Sequence, residues 1–417
     1  MVRLLWVLVL AVAALAPAPP AAASGRDVVV MVFDGIAPAL LRDNPTPAFE
    51  RMRAEGAWSH DLEPAFPTIS LINGFTLSTG CWPARHGILT NKFRDPERGV
   101  YDHSSDADWL TGCEGLHVAA ERQGVTTAAL GWYGSWSGTR GALASVVGKE
   151  RFSEYPEDPE RADQVVEQIA RTDSERPRLV LAYFKGPDGA QHFTGMESEE
   201  TRAAVAEMDS LVGEVMAAIE ASGRPTALLV TTDHGMREVS RIVNIRRILH
   251  WHDVEAEAIS TGTTSFLYFD AGGDVEGAYA ALSGYDEFEV LRGDALPEYA
   301  RLGDGARLPQ LIVSAKHPYF IEDAEEWPSW LRWMGRWGPR FAWARPFLKA
   351  THGYPPDVEG MAGVLYAWGD GVAQGREVKD VRSVDVHPTA ARLLGIGPGR
   401  PVDGRVARGF LAGTAPR

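Results

Sequence analysis

Short apolar runs alternate with amphipathic stretches along this chain, which is how strands buried on both faces of a parallel sheet and the helices between them are written in sequence. Asp27-Val28-Val29-Val30-Met31-Val32-Phe33 is one such run, and it stops at Asp34-Gly35. Arg178 to Phe184 is a second, followed by Lys185-Gly186-Pro187-Asp188, and Thr226 to Thr232 is a third that empties into Asp233-His234-Gly235. Between them the spacing predicts helices. Thr46-Pro47 opens one, with Thr46 as N-cap and Pro47 in the first turn, and Gly56 closes it. Leu116 to Gln123 reads as another, ended by Gly124 and followed by the strand-like Val125 to Leu130. From Glu197 to Ser222, Val205, Met208, Leu211, Val212, Val215, Met216 and Ile219 recur at helical spacing until Gly223 and Pro225 end the helix.

Three buried strands that each end in aspartate predict an α/β fold with a largely parallel sheet flanked by helices. In such a sheet, ligands bind beyond the carboxyl ends of the strands, so Asp34, Asp188 and Asp233 are expected to meet. Residues from about 240 to 350 break the alternation and read as a smaller α+β subdomain, with strand-like Thr264 to Asp270 and Leu311 to Ser314. Within it, Trp327 to Lys349 carries five of the 13 tryptophans, interleaved with Arg332, Arg336, Arg340 and Arg345. That segment reads as a surface hairpin, a lid, or a lipid-touching element. Sheet pairing is expected to return at Met361 to Trp368, so that residues 24–417 form one catalytic domain with the subdomain inserted before the final core strand.

Composition changes this picture little. With 45% hydrophobic and 23% charged residues, the chain can bury a large core. A net charge of −15 lacks the basic face that duplex nucleic acid requires. Residues 1–23 read as a secretory signal: Arg3, an apolar run from Leu4 to Leu15, then Ala21-Ala22-Ala23, with cleavage expected near Ala23. The run is too short to span a bilayer, so no transmembrane anchor is expected and the mature chain is expected to be secreted or periplasmic. Cys81 and Cys113 are the only cysteines. They are compatible with one disulfide in an exported chain and cannot build a thiolate cage, so any metal must be held by His and carboxylate.

The candidate chemistry lies at the strand ends. Asp188 and His192 stand four apart and fall on one side of a turn. Asp233-His234 and His352-Gly353 add further donors, and Asp34 completes six candidate ligands. A pair of divalent ions clamping the attacking and leaving oxygens of a phosphoryl transfer needs about this many His and Asp groups. Each residue alone has a plainer reading, as a turn former or a solvated histidine, and His250 and His252 are left structural for lack of this context. For a nucleophile, Thr68 and Ser70 both stand near a predicted helix start, where the helix dipole and a metal favour an alkoxide.

These residues resemble the nucleotide pyrophosphatase/phosphodiesterase family of the alkaline phosphatase superfamily. The nucleophile segment is similar to Phe66-Pro67-Thr68-Ile69-Ser70-Leu71-Ile72-Asn73-Gly74-Phe75, followed by Thr79-Gly80, Pro83 and His86-Gly87-Ile88. Asp34-Gly35, Pro187-Asp188 to His192, Asp233-His234-Gly235-Met236, His352-Gly353-Tyr354 and Val384 to Gly395 match the family's later motifs in order. The resemblance implies an alkaline-phosphatase-like core and two divalent metal ions, zinc by family habit. Asp188, His192 and His352 would hold one and Asp34, Asp233 and His234 the other, with Ser70 between them as nucleophile and metal contact. Asn91, 21 residues beyond Ser70, would stabilise charge on the phosphoryl oxygens. Ser70 stands for the family's Thr, Gly74 for its His, and Pro355-Pro356 for its Asp-Asn. Gly131-Trp132-Tyr133-Gly134-Ser135 falls where the family has an aromatic stretch, a candidate leaving-group contact.

The implied activity is hydrolysis of a small-molecule phosphodiester or nucleotide through a phosphoseryl intermediate. Rivals within the superfamily are a phosphomonoesterase, a phosphonate hydrolase and a lipid-headgroup phosphodiesterase. A rival of another class is a catalytically silent, metal-stabilised binding protein.

Overall fold

Asp27–Phe33 is a strand (β1) buried at every position. It lies at the middle of the main sheet, parallel to Leu179–Phe184 on one side and to Thr226–Thr231 on the other. The computed structural model describes residues 25–102, 105, 107–135, 143–148, 155–322, 339–343 and 348–414. The expected signal segment, 1–23, and most of Trp327–Lys349 lie outside these residues.

The main sheet comprises β1, Ala57–Leu62 (β2), Thr127–Leu130 (β3), Val146–Val147 (β4), Leu179–Phe184 (β5), Thr226–Thr231 (β6), Gly363–Gly369 (β7) and Arg376–Glu377 (β8), in the order β8-β2-β7-β6-β1-β5-β3-β4. Strands β6, β1, β5, β3 and β4 run parallel, and β7 enters antiparallel between β6 and β2. Side chains alternate across the sheet. Val28, Val30 and Val32 join a core that includes Ile72, Phe75 and Leu394, while Val29, Met31 and Phe33 join another with Met208, Val212 and Val215. Each such burial contributes roughly 1.5–3 kcal/mol, which is why an unbroken apolar run is needed here. One core is closed by helices Ser70–Thr79 and Val386–Leu394, the other by helix Glu199–Ser222.

Helix Pro47–Glu55 begins where the sequence predicts, but Thr46 makes no side-chain cap. Its hydroxyl is directed to Leu41 O at 3.4 Å. The cap comes instead from Asp209 on Glu199–Ser222, whose carboxylate accepts the Ala48 and Phe49 amides at 3.1 and 3.0 Å. Local spacing identified the start correctly, but the capping group is supplied across a helix interface.

After β6 the chain builds a four-stranded antiparallel sheet of Glu257–Thr261, Thr264–Tyr268, Leu311–Ala315 and Phe288–Arg292. It has its own core, in which Ile248, Leu267, Leu282 and Val313 meet. The chain then returns through Ala350–Thr351, which pairs with Arg237–Glu238 and delivers His352 to the end of the main sheet. Cys81 and Cys113 form a disulfide, with an S–S distance of 2.05 Å. No helix of the described residues is long and apolar enough to cross a membrane.

Candidate active site

Asp34 leaves β1, Asp188 follows β5 by four residues, and Asp233 follows β6 by two. Strands of common direction therefore bring three carboxylates to one sheet edge. Gly35 makes the close approach possible. Its φ of +74° turns the chain, and a Cβ there would meet the Asp188 Cβ at 3.0 Å. The freed Gly35 amide donates to Asp233 Oδ1 at 3.3 Å, and the Asp233 carboxylate also accepts the His234 amide at 2.9 Å.

The three histidines are oriented by one device. The Nδ1 atoms of His192, His234 and His352 lie 2.7, 2.9 and 2.8 Å from the carbonyl oxygens of Ala350, Gly235 and Thr68, respectively. A carbonyl can only accept, so each Nδ1 carries the proton and each Nε2 of the neutral ring presents a lone pair. Those lone pairs face acids. His192 Nε2 is 3.4 Å from Asp188 Oδ2 and His352 Nε2 is 3.7 Å from Asp188 Oδ1. His234 Nε2 is 3.3 Å from Asp34 Oδ1. Among the described residues, Asp188 Oδ1 is buried without a hydrogen-bond partner. Lone pairs opposed to carboxylate oxygens repel unless a cation lies between them, so the donor set fits metal ions.

Among the described residues, two groups have donor atoms mutually within 4.8 Å: Asp34, Asp233 and His234, and Asp188, His234 and His352. His192 reaches Asp188 through the other carboxylate oxygen.

Electrostatics agree. Burial, reinforced by the charges of Asp233 and Asp188, holds Asp34 well above the usual carboxylate range, and burial raises Asp233. Burial and the neighbouring His234 push His352 well below the usual imidazole range, keeping its lone pair available. Against the lowering effect of burial, the negative charge of Asp188 raises His192, as a cation in its place would be attracted. A cluster this acidic and this buried calls for positive charge.

Ser70 is the first residue of helix Ser70–Thr79, and its Oγ lies 3.0 Å from His234 Nε2 and 3.4 Å from Asp34 Oδ1. The preceding turn is fastened by Asn73, whose Oδ1 accepts the Ala65 amide at 2.6 Å and whose Nδ2 donates to Ala65 O at 3.1 Å. Asn91 Oδ1 accepts the Leu71 amide at 3.0 Å, so it flanks the nucleophile position. Thr68 points elsewhere. Its hydroxyl donates to Tyr354 O and accepts the Gly353 amide, both at 2.9 Å, clasping the loop that carries His352. All seven expected metal-site residues and Asn91 therefore lie in one neighbourhood.

One contributor escaped the sequence reading, and another was read in a different role. Tyr183 donates to Asp34 Oδ2 at 2.6 Å, and the only hint was a phenol in an otherwise aliphatic and aromatic strand. Tyr133 belongs to the aromatic stretch read as a leaving-group contact. It is only 2% exposed and its hydroxyl lies 3.5 Å from Asp233 Oδ2, so it supports the acidic cluster from within. Trp132, only 1% exposed, donates its indole N–H to Ser78 Oγ at 3.0 Å.

Fold and site together define an α/β protein with a His/Asp cluster suited to metal ions and an adjacent hydroxyl. The profile described as type I phosphodiesterase / nucleotide pyrophosphatase matches residues 28–355. Human ectonucleotide pyrophosphatase/phosphodiesterase family member 7 is 26% identical over 390 residues, covering 90% of this chain and 81% of that protein. The structure of human ectonucleotide pyrophosphatase/phosphodiesterase 5 superposes with a TM-score of 0.80 at 21% identity, over 93% of this chain and 100% of that one. An inactive variant of murine ectonucleotide pyrophosphatase/phosphodiesterase 5 in complex with AMP matches with a TM-score of 0.78 at 21% identity, over 91% of this chain and 97% of that one. The chain belongs to the type I phosphodiesterase/nucleotide pyrophosphatase family, within the alkaline phosphatase superfamily. It is accordingly a metal-dependent hydrolase of the class that cleaves phosphodiester and pyrophosphate bonds.

Proposed function

We propose that the protein is an exported two-zinc phosphodiesterase/nucleotide pyrophosphatase with Ser70 as nucleophile. The observation that carries this reading is the meeting of Ser70 Oγ with His234 Nε2, at 3.0 Å, inside a buried cluster of Asp and His donors. Asp188, His192 and His352 hold one ion and Asp34, Asp233 and His234 the other, and zinc suits a mixed imidazole and carboxylate set. When bound, the ions supply the positive charge that favours the alkoxide and the departing oxygen.

The chain's own groups do the rest. Ser70 begins a helix, where unpaired amides and the dipole favour a negative oxygen. After its proton is lost to solvent, Oγ attacks phosphorus in line, so that the Oγ–P bond forms as the bond to the leaving oxygen breaks. Water then attacks phosphorus, the Oγ–P bond breaks, phosphate monoester is released and Ser70 regains a proton. Asn91 uses its Oδ1 on the Leu71 amide, which leaves Nδ2 to donate to a phosphoryl oxygen carrying transition-state charge.

A diester is the preferred substrate class. A monoester dianion would call for extra cations, and Arg85, near the nucleophile segment in sequence, is already engaged with Asp403 Oδ1 at 2.6 Å and Pro401 O at 2.7 Å. Comparison of kcat/KM for bis(aryl) phosphate and the matching monoester on one preparation tests this, with the diester expected to be favoured. A monoester preference of about tenfold, or about 1.4 kcal/mol, overturns the diesterase assignment. Export rests on the Leu4–Leu15 run, and N-terminal sequencing of the mature chain should begin just after Ala23.

A further inference from the structure

We propose that Tyr133 is a positioning residue for the metal ligand Asp233, and that Gly74 is glycine because the Tyr133 ring occupies the space of its side chain. The proposal rests on the metal-site reading above and concerns how that site is held.

Gly74 lies inside helix Ser70–Thr79, where any residue could adopt the backbone, so conformational freedom does not explain it. Packing does. A Cβ built on Gly74 would stand 2.1 Å from both Cε1 and Cζ of Tyr133, far inside any tolerated contact. Gly74 is four residues beyond Ser70, so the ring rests one turn further along the helix face that presents the nucleophile.

The ring cannot easily withdraw. Its own carbonyl accepts from Ser78 Oγ at 3.2 Å, and that Ser78 oxygen in turn accepts the Trp132 indole N–H. Tyr183 meets it edge to face at 5.3 Å and Phe75 lies against it at 6.2 Å. The phenol is thereby aimed at Asp233 Oδ2 at 3.5 Å. The other oxygen, Oδ1, is occupied by the Gly35 and His234 amides. Tyr183 likewise bonds Asp34, at Oδ2 and 2.6 Å, leaving Oδ1 towards His234, whereas on Asp233 the phenol adjoins the oxygen that itself faces His234 Nε2 at 3.7 Å. Each carboxylate of the Asp34, Asp233 and His234 group thus has one phenol. The phenol on Asp233 reaches it with its ring in the space that Gly74 leaves.

The test uses the full chain stripped of metal, with Zn²⁺ affinity read by chelator competition alongside kcat, KM and thermal unfolding. Tyr133→Phe removes only the hydroxyl. It should unfold at the wild-type temperature when metal-free, yet bind Zn²⁺ about tenfold more weakly, with kcat lowered and KM little changed. Gly74→Ala should weaken Zn²⁺ binding at least as much in the wild-type background and add almost nothing in a Tyr133→Ala background, where the ring is gone. Wild-type Zn²⁺ affinity in Tyr133→Phe overturns the positioning role, and an equal cost of Gly74→Ala in both backgrounds overturns the role of the glycine. A wild-type chain that binds no divalent cation is a different result and removes the metal-site reading itself.

Discussion

At the scale of single residues, two neighbouring hydroxyls have different tasks. Ser70→Ala should abolish turnover while Zn²⁺ binding persists, because only the attacking atom is removed. Thr68→Ala should retain Ser70 but leave the buried Gly353 amide unsatisfied, costing about 1–3 kcal/mol of stability and loosening His352. Activity assays paired with zinc analysis and urea unfolding separate the two. Five of the six candidate His and Asp positions stood out in sequence because they follow a strand or sit beside glycine, and His192 because it stands four beyond Asp188, whereas the task of Thr68 did not: nothing local says that its partners lie nearly 300 positions away.

His86 supplies a pH dependence of its own. Its Nδ1 accepts the Ile88 amide at 3.1 Å and its Nε2 meets Thr76 Oγ1 at 3.0 Å, a geometry that suits the neutral ring. Burial, with a smaller push from Arg307, lowers its pKa from 6.5 to about 3. The folded chain therefore binds fewer protons than the unfolded one between those values, and this contribution to stability is complete above pH 6.5 and lost as pH falls towards 3. Urea midpoints measured across this window should fall with acidification, and His86→Gln should flatten the slope by up to about 1.4 kcal/mol per pH unit. An unchanged slope counts against the neutral assignment.

At the scale of elements, Asp209 caps Pro47–Glu55 from the middle of Glu199–Ser222. Asp209→Ala should cost about 1–2 kcal/mol in denaturant unfolding and leave kcat unchanged, since its carboxylate bonds the Ala48 and Phe49 amides and none of the candidate site residues. Strands β1, β5 and β6 were legible because burial on both faces forces uninterrupted apolar sequence. The antiparallel entry of β7 between β6 and β2 was not, because a strand buried on both faces reads the same in either direction. The return through Ala350–Thr351 was equally hidden, since a two-residue strand carries no periodicity.

At the scale of the whole molecule, metal removal should change both activity and stability. Chelation should abolish turnover and Zn²⁺ restore it, and saturation at about 100 times Kd should add about 2.7 kcal/mol to unfolding, seen as a higher thermal midpoint. Active protein free of transition metal on elemental analysis would refute the two-zinc reading. The fold class was legible because strand and helix alternation dictates it, while the pairing of the four inserted strands with one another depends on contacts that no single segment encodes.

The candidate ligands span from Asp34 to His352, with the last delivered only after the four-stranded sheet is complete. A chain still emerging from the ribosome, or cut short before His352, can assemble neither the full set of donors nor the loop that Thr68 clasps. On the two-zinc reading, ion capture would be a late event in the life of the molecule: pulse-labelled protein should become resistant to protease in the presence of chelator before it becomes active on addition of Zn²⁺.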